Sequence, residues 1–214
     1  MDGPIDLPVE LSLPLSSGEP WWYFIGGRVS VDFANTLRER WWRRVETLVT
    51  DRDLVRWLVR AGVLVGEPAV PSGALRAARD LREAIDGALT AAIDGRSPAR
   101  RDVTAIDRWL RRSVTVPRLG LGPDDRLDLD VRPAADPVSH ALGLVALDAA
   151  RILAEPELRR RLRVCASESC SARFFDNSPA GRRQWCSMST CGNVAKARRF
   201  RARQSRNERQ QEMR

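Results

Sequence analysis

The sequence predicts a mainly α-helical fold with one small β-hairpin, of the α+β class. A helical N-terminal body is followed by a small cysteine-rich module. Three observations lead there. Apolar residues recur at helical spacing through most of the chain ahead of the cysteines. One segment near 115–132 switches to a period of two. All four cysteines of the 214 residues fall near the C-terminal end, spaced C-x4-C-x15-C-x4-C.

Residues 1–20 carry four prolines and no periodic pattern, and read as an extended arm. Trp21 to Gly27 are aromatic and end in a glycine pair that suits a turn feeding a helix. From Arg28 to about Val49 apolar residues recur every four, at Val29, Phe33, Leu37, Trp41 and Val45, which predicts one helix. Thr50 or Asp51 caps the next, with Leu54, Trp57, Leu58 and Ala61 on one side and Gly62 as its stop. A longer helix starts at Pro71–Ser72 and ends at Gly95, with Leu75, Ala78, Leu81, Ile85, Leu89 and Ile93 as its stripe. Ser97–Pro98 opens another, leading to Ile106, Trp109 and Leu110. Residues 115–121 and 126–132 are strand-like, and Gly122-Pro123-Asp124-Asp125 between them is turn chemistry, which makes a hairpin. Asp136–Pro137 opens a last long helix through Leu142, Val145, Ala149 and Ile152, which Glu155–Pro156 breaks. A short helix then delivers the chain to Cys165.

Two local cysteine pairs joined by a hairpin-length segment are what a tetrahedral Zn(II) site needs. The candidate ligands are Cys165, Cys170, Cys186 and Cys191. Two disulfides are the alternative. The first apolar stretch is broken by Pro4, Pro8 and Pro14, so no signal-peptide pattern is read there, and a reduced, cytoplasmic chain is expected. A four-thiolate site is closed to water and substrate, so the expected zinc is structural, one per chain.

The residues around the cysteines carry a resemblance. Trp185-Cys186-Ser187-Met188 and Cys191-Gly192-Asn193 resemble the CGNR-type zinc finger, with Val194 where the family name has Arg. Gly26-Gly27-Arg28-Val29-Ser30-Val31-Asp32-Phe33-Ala34-Asn35-Thr36 resembles the opening of the ABATE domain, whose description implies a stress-induced transcription regulator. The division expected is an arm over 1–20, a helical ABATE-like body over 21–162, a treble-clef-like finger over 163–205 and a basic polar tail over 206–214. The body is expected to fold without the finger. Within the finger, 173–176 and 183–185 read as short strands around the 177–181 turn, and a helix runs from Cys191 to about Gln204.

Charge concentrates in the same module. Residues 165–214 hold 11 Lys and Arg against 4 Asp and Glu, whereas the rest of the chain is nearly neutral. A neutral body with a cationic module points to a polyanion partner. The candidate nucleic-acid contacts are Arg182 and Arg183 on the hairpin, and Lys196, Arg198, Arg199, Arg201, Arg203 and Arg206 on the final helix. DNA is the favoured partner, and the charge pattern leaves RNA open. A finger that docks a protein is a further reading, as is a merely solvated basic face. Trp185 reads as core, and His140, the single histidine, as a polar residue at a helix edge.

Asp32 and Asn35 interrupt an apolar segment at i and i+3, so they line one pocket for a small-molecule effector or satisfy one local network, with Arg28 as a candidate ion partner. No phosphate loop, nucleophile elbow or metalloprotease motif is found, and a non-enzymatic protein is expected. No apolar run of membrane-spanning length is read, so no membrane partner is expected. The oligomeric state stays open, a homodimer among the options.

Overall fold

The computed structural model describes residues 22–212 apart from Pro123 and Ser169; for Ala202 and residues 205–212 it gives the backbone alone. The expected arm over 1–20 lies outside the described residues. The elements run in chain order: α1 (Val29–Ala34), β1 (Leu37–Arg38), β2 (Val45–Glu46), α2 (Asp51–Arg60), α3 (Ala74–Ile93), α4 (Arg100–Leu110), β3 (Thr115–Leu121), β4 (Leu127–Pro133), α5 (Pro137–Ala154), α6 (Pro156–Arg159), β5 (Leu162–Val164), β6 (Arg173–Phe175), a π-helical turn (Met188–Gly192) and α7 (Asn193–Glu212). Helix dominates, and the strands form three antiparallel pairs, β1–β2, β3–β4 and β5–β6. The α+β class is as the periodicity predicts.

Helices α3 and α5 make the centre of the body, with α1, α2 and α4 packed on them. Ala78, Leu81, Ile85 and Leu89 of α3 face Leu142, Val145, Ala149 and Ile152 of α5 in one fully buried cluster. Trp57 of α2 and Phe33 of α1 meet there at a centroid distance of 5.0 Å. By length and composition α5 is apolar enough to cross a membrane, but here it is the core helix of this cluster. The start of α2 follows the local code. Asp53 N–H donates to Thr50 Oγ1 (3.2 Å), and Thr50 N–H donates to the Asp53 carboxylate (2.7 Å), a reciprocal capping box. Asp136 caps α5 by accepting from Ser139 N–H at 2.9 Å. Two starts shift by a few residues: α3 begins after Gly73, held at φ +77°, and α4 begins at Arg100, beyond Ser97–Pro98.

The helix expected over 28–49 is three elements instead. α1 stops at Ala34, because Thr36 closes its last turn and Asn35 is engaged by a distant strand. Thr36 Oγ1–H donates to Phe33 O (2.7 Å), and the two ends of the Asn35 amide pair with the backbone of Arg173. The chain then turns back as β1–β2, with Leu37 opposite Glu46 and Arg38 opposite Val45. Glu39 and Arg44 take left-handed backbone angles (φ 46° and 51°), and an ion pair between Glu39 and Arg43 spans the loop. Leu37 and Val45 remain buried, so a hairpin satisfies the four-residue period that a helix would also satisfy. Trp41, the middle of that stripe, is instead exposed beside Trp42 at the loop tip.

The finger does not stand apart from the body. Leu162 and Phe175 are buried in the body's own apolar cluster, so the boundary expected at 162/163 passes through a shared core. Phe175 N–H donates to Gly26 O at 2.7 Å. Asp86 on α3 lies between two buried guanidinium groups, Arg40 Nε at 3.3 Å and Arg173 Nε at 3.0 Å. Arg40 also pairs with Glu83 (2.7 Å), and Arg173 donates to Thr90 Oγ1 (2.9 Å). One side of α3 thus holds both the β1–β2 hairpin and strand β6 of the finger. Burial raises the Asp86 pKa above the usual carboxylate value, and the two arginines work against that rise.

Breaking a buried pair leaves the other charges uncompensated, which typically costs about 3–5 kcal/mol. Asp86→Ala is therefore expected to lower the midpoint of thermal unfolding by roughly 10 °C in a chain of this size. Calorimetry of the zinc-loaded protein checks it.

Candidate metal centre and nucleic-acid face

Cys165 follows β5, and its N–H donates to Ala172 O (2.9 Å). The chain turns at once, with Cys170 N–H donating to Ser167 O (2.9 Å), so the first pair converges from one knuckle. Cys186 ends an irregular segment tied back by Ala166 N–H to Gln184 O (2.8 Å). The segment around 183–185, expected as a strand, is irregular, because β6 pairs with β5 and leaves it no ladder. Cys191 lies in the π-helical turn that leads into α7, and Ser187 caps that turn. Gly192 has a steric reason: a Cβ there would sit 2.9 Å from the Met188 sulfur.

The four Sγ atoms lie within 4.8 Å of one another, with Cys170–Cys186 at 3.8 Å and Cys186–Cys191 at 3.7 Å. Four sulfurs at the usual Zn–S distance of about 2.3 Å are separated by about 3.8 Å along each tetrahedral edge, so the donor set fits Zn(II). No disulfide forms among them. Hydrogen bonding with the neighbouring cysteines lowers the Cys165 pKa below the usual thiol value. The finger's own core is small: Phe174 is fully buried, with Trp185 and Ile25 packed against the cluster. Arg38 reaches the site from β1. Burial lowers its pKa, and Tyr23, Cys170 and Cys186 oppose the fall. Its guanidinium lies 3.6 Å from the Tyr23 ring centroid.

A model of the ABATE family, described as "Putative stress-induced transcription regulator", matches residues 27–156. The chain belongs to this family. A CGNR zinc finger model matches residues 161–204, and the four clustered thiolates are its metal site, for one structural zinc. No curated protein matches the chain.

The cationic residues divide by environment. Arg183 is half-buried. It donates to Cys186 O (2.7 Å) and lies over the Phe174 ring (4.9 Å), so it braces the finger. Arg182 is exposed. On α7, Lys196, Arg198, Arg199, Arg201 and Arg203 are exposed; Arg198 pairs with Glu168 at 3.6 Å, and Arg199 lies over Trp185 at 5.7 Å. The side chain of Arg206 lies outside the described residues. Trp185 is half-buried against the cysteines. His140 Nδ1 is 2.9 Å from Arg112 O at the edge of α5.

Periodicity hides a further feature. Trp41 and Trp42 are 59% and 61% exposed and border, with Glu168 and Arg198, a groove of about 420 Å³. The doublet is flanked by Arg40, Arg43 and Arg44, an aromatic-and-arginine pattern that the sequence does contain. A second cavity of about 210 Å³ lies between body and finger, with Tyr23, Asn35, Arg38, Ser171, Cys170 and Val194 in its wall. Asn35 reaches that cavity, but both ends of its amide are bonded to Arg173. Asp32 is buried away from it and accepts from Gly26 N–H (2.7 Å). Arg28 pairs with Asp148 at 2.5 Å and not with Asp32. The Ser30 N–H and hydroxyl bond the same Asp148 carboxylate at the start of α1.

The freshly purified, reduced protein is expected to hold one equivalent of zinc by metal analysis. Cys191→Ser should lose it and lower the thermal midpoint of the whole chain, because Phe175 and Leu162 are shared with the body. Asp32 gives a second expectation. Burial raises its pKa from 3.8 to about 7, so the folded state binds this proton more tightly than the unfolded chain does. The associated stability is complete below the unfolded pKa and is lost as pH rises through the folded one. Asp32→Asn removes the titration. Its stability relative to the parent should rise by roughly 2–3 kcal/mol between about pH 5 and about pH 8 in chemical denaturation.

Proposed function

We propose that this protein is a zinc-dependent, DNA-binding transcription regulator in which the finger contacts nucleic acid and the helical body senses an effector. One observation carries the reading: α7 leaves the zinc cluster as a 20-residue helix with an exposed cationic surface, on a chain whose family description is that of a regulator. Lys196, Arg199 and Arg203 recur at i, i+3 and i+7 and so share a stripe suited to phosphates. The metal fixes the start of that helix against the body, which gives the charges a defined direction.

The tryptophan pair adds a second contact beside Arg198. Exposed indoles next to arginines offer stacking platforms for unpaired bases, and this favours single-stranded nucleic acid or RNA as the alternative to duplex DNA. The cavity between body and finger supports the sensing role. A small molecule held there touches Arg38 and the metal-ligand knuckle together, so its binding bears on the finger's orientation. No catalytic step is proposed; a four-thiolate centre leaves no open coordination position.

The test is fluorescence anisotropy of the zinc-loaded full chain against labelled random duplex, single-stranded DNA and RNA over a series of salt concentrations. Lys196→Gln with Arg203→Gln should weaken duplex binding and reduce the log–log salt slope by about two, at about 0.9 for each phosphate no longer neutralised. Zinc content should stay unchanged. Unaltered affinity and slope would remove the basic helix from the interface. Tighter, tryptophan-dependent binding to single strands or RNA would transfer the reading to the alternative.

A further inference from the structure

The β3–β4 hairpin is amphipathic in the inverted sense. Antiparallel pairing sets Pro117 opposite Val131, Leu119 opposite Leu129 and Leu121 opposite Leu127, so six apolar side chains share one face. The other face carries Val116, Arg118, Asp128, Asp130 and Arg132. In a hairpin laid on its own protein, the apolar face is covered. Here Val116 and Asp130, on the mixed face, are the half-buried positions of the strands. The four leucines and Val131 remain 59–73% exposed. Body and finger expose no other apolar group of this density among the described residues; the remaining exposed large apolar side chains are single or paired.

We infer that this face is a homodimer interface, closed by the same face of a second copy around a two-fold axis. Three features favour a second copy over an unlike partner. The apolar face is of one chemistry along its length and carries no charge of either sign, so it is complementary to itself, as an isologous contact requires. The charges at its two ends are opposite. The tip carries Asp124 and Asp125 against Arg126, whereas the foot follows the end of α4, where Arg108, Arg111 and Arg112 are exposed and outnumber Asp107, the partner of Arg111. Laying two hairpins face to face, tip against foot, places acid on base at both ends at once, which the two-fold supplies without further fitting. An unlike partner would have to reproduce both ends. The size is also adequate. Five large side chains exposed to this degree present on the order of 500 Å² per chain, and two copies bury on the order of 1,000 Å², the lower bound of a specific interface. Strands of seven residues extend this contact over about 20 Å.

A dimer of this kind leaves β5–β6, the cysteines and α7 outside the contact, so two fingers are carried by one particle, whatever the fingers bind.

Sedimentation equilibrium of the zinc-loaded full chain tests it. The parent protein is expected to be dimeric at tens of micromolar, and Leu119→Glu with Leu129→Glu to raise the dissociation constant at least about 100-fold, with unchanged helical circular dichroism. Asp124→Arg with Asp125→Arg should weaken the dimer about ten-fold, and addition of Arg111→Asp and Arg112→Asp in the same chain should restore it to within about three-fold of the parent. A parent protein that stays monomeric at about 100 μM overturns the inference. So does a dimer indifferent to the leucine substitutions, and so does failure of the second charge reversal to restore association.

Discussion

Asp86 is the point on which the arrangement depends. It is a mostly enclosed carboxylate, 13% exposed, on the central helix α3, and it is matched by two guanidinium groups that arrive from different parts of the chain. Arg40 comes from the loop of the β1–β2 hairpin, and Arg173 comes from strand β6 of the finger. Asp86 is the one carboxylate that both arginines share, with Glu83 as a second partner of Arg40 alone, and an enclosed carboxylate is itself costly without its counter-charges. The triad therefore converts α3 from a core helix into a mounting rail. Arg82 and Glu46 extend it with two contacts of 2.7 Å, and Arg79 holds the carbonyl oxygen of Leu48 beside them. The abundance of arginine in this body becomes intelligible in these terms: much of it fastens backbone and carboxylates within the fold.

The metal centre sits at the end of this rail. Its apolar support is slight, essentially Phe174 with flanking Ile25 and Trp185, so the four thiolates and their ion must supply what packing does not. A zinc bound to four thiolates is formally dianionic. Arg38, drawn from the body and laid against Tyr23, brings positive charge to that locality. Body residues thus contribute to the electrostatics of the finger, and finger residues contribute to the packing of the body. The basic helix that leaves the cluster inherits its direction from both.

The sequence is legible where one physical cause dominates. The cysteine spacing fixes the metal site because only a few local geometries bring two such pairs together. The β3–β4 hairpin is legible because strict alternation with a glycine- and aspartate-rich turn has no helical reading. Residues 28–49 are the opposite case. Val29, Phe33, Leu37 and Val45 satisfy a helical period, yet the outcome is decided by Asn35 binding the backbone of Arg173, 138 residues away, and by Arg40 reaching Asp86. No local rule contains those contacts. Trp41 follows from the same error, since a residue assigned to a buried stripe is not considered as an exposed aromatic. Asp32 and Asn35 are legible as unusual residues, whereas their partners, Gly26 and Arg173, are not.

The Gly26–Gly27 pair has an implication for how such chains can recombine. Gly26 presents its N–H to Asp32 and its carbonyl to Phe175, and a Cβ on Gly27 would crowd Asn177 and the carbonyl of Phe175. The two glycines belong by position to the body and by contact to the finger. The interval between the two family matches, 156 to 161, looks like a natural place to cut and join. It is not a neutral splice. A transplanted finger must find on its new host the glycine pair, an asparagine that reads its strand, and a carboxylate for its buried arginine. Exchange of such modules is therefore constrained to hosts that carry a matching socket, and the socket is written far upstream of the plug: 138 residues for Asn35 and 87 for Asp86.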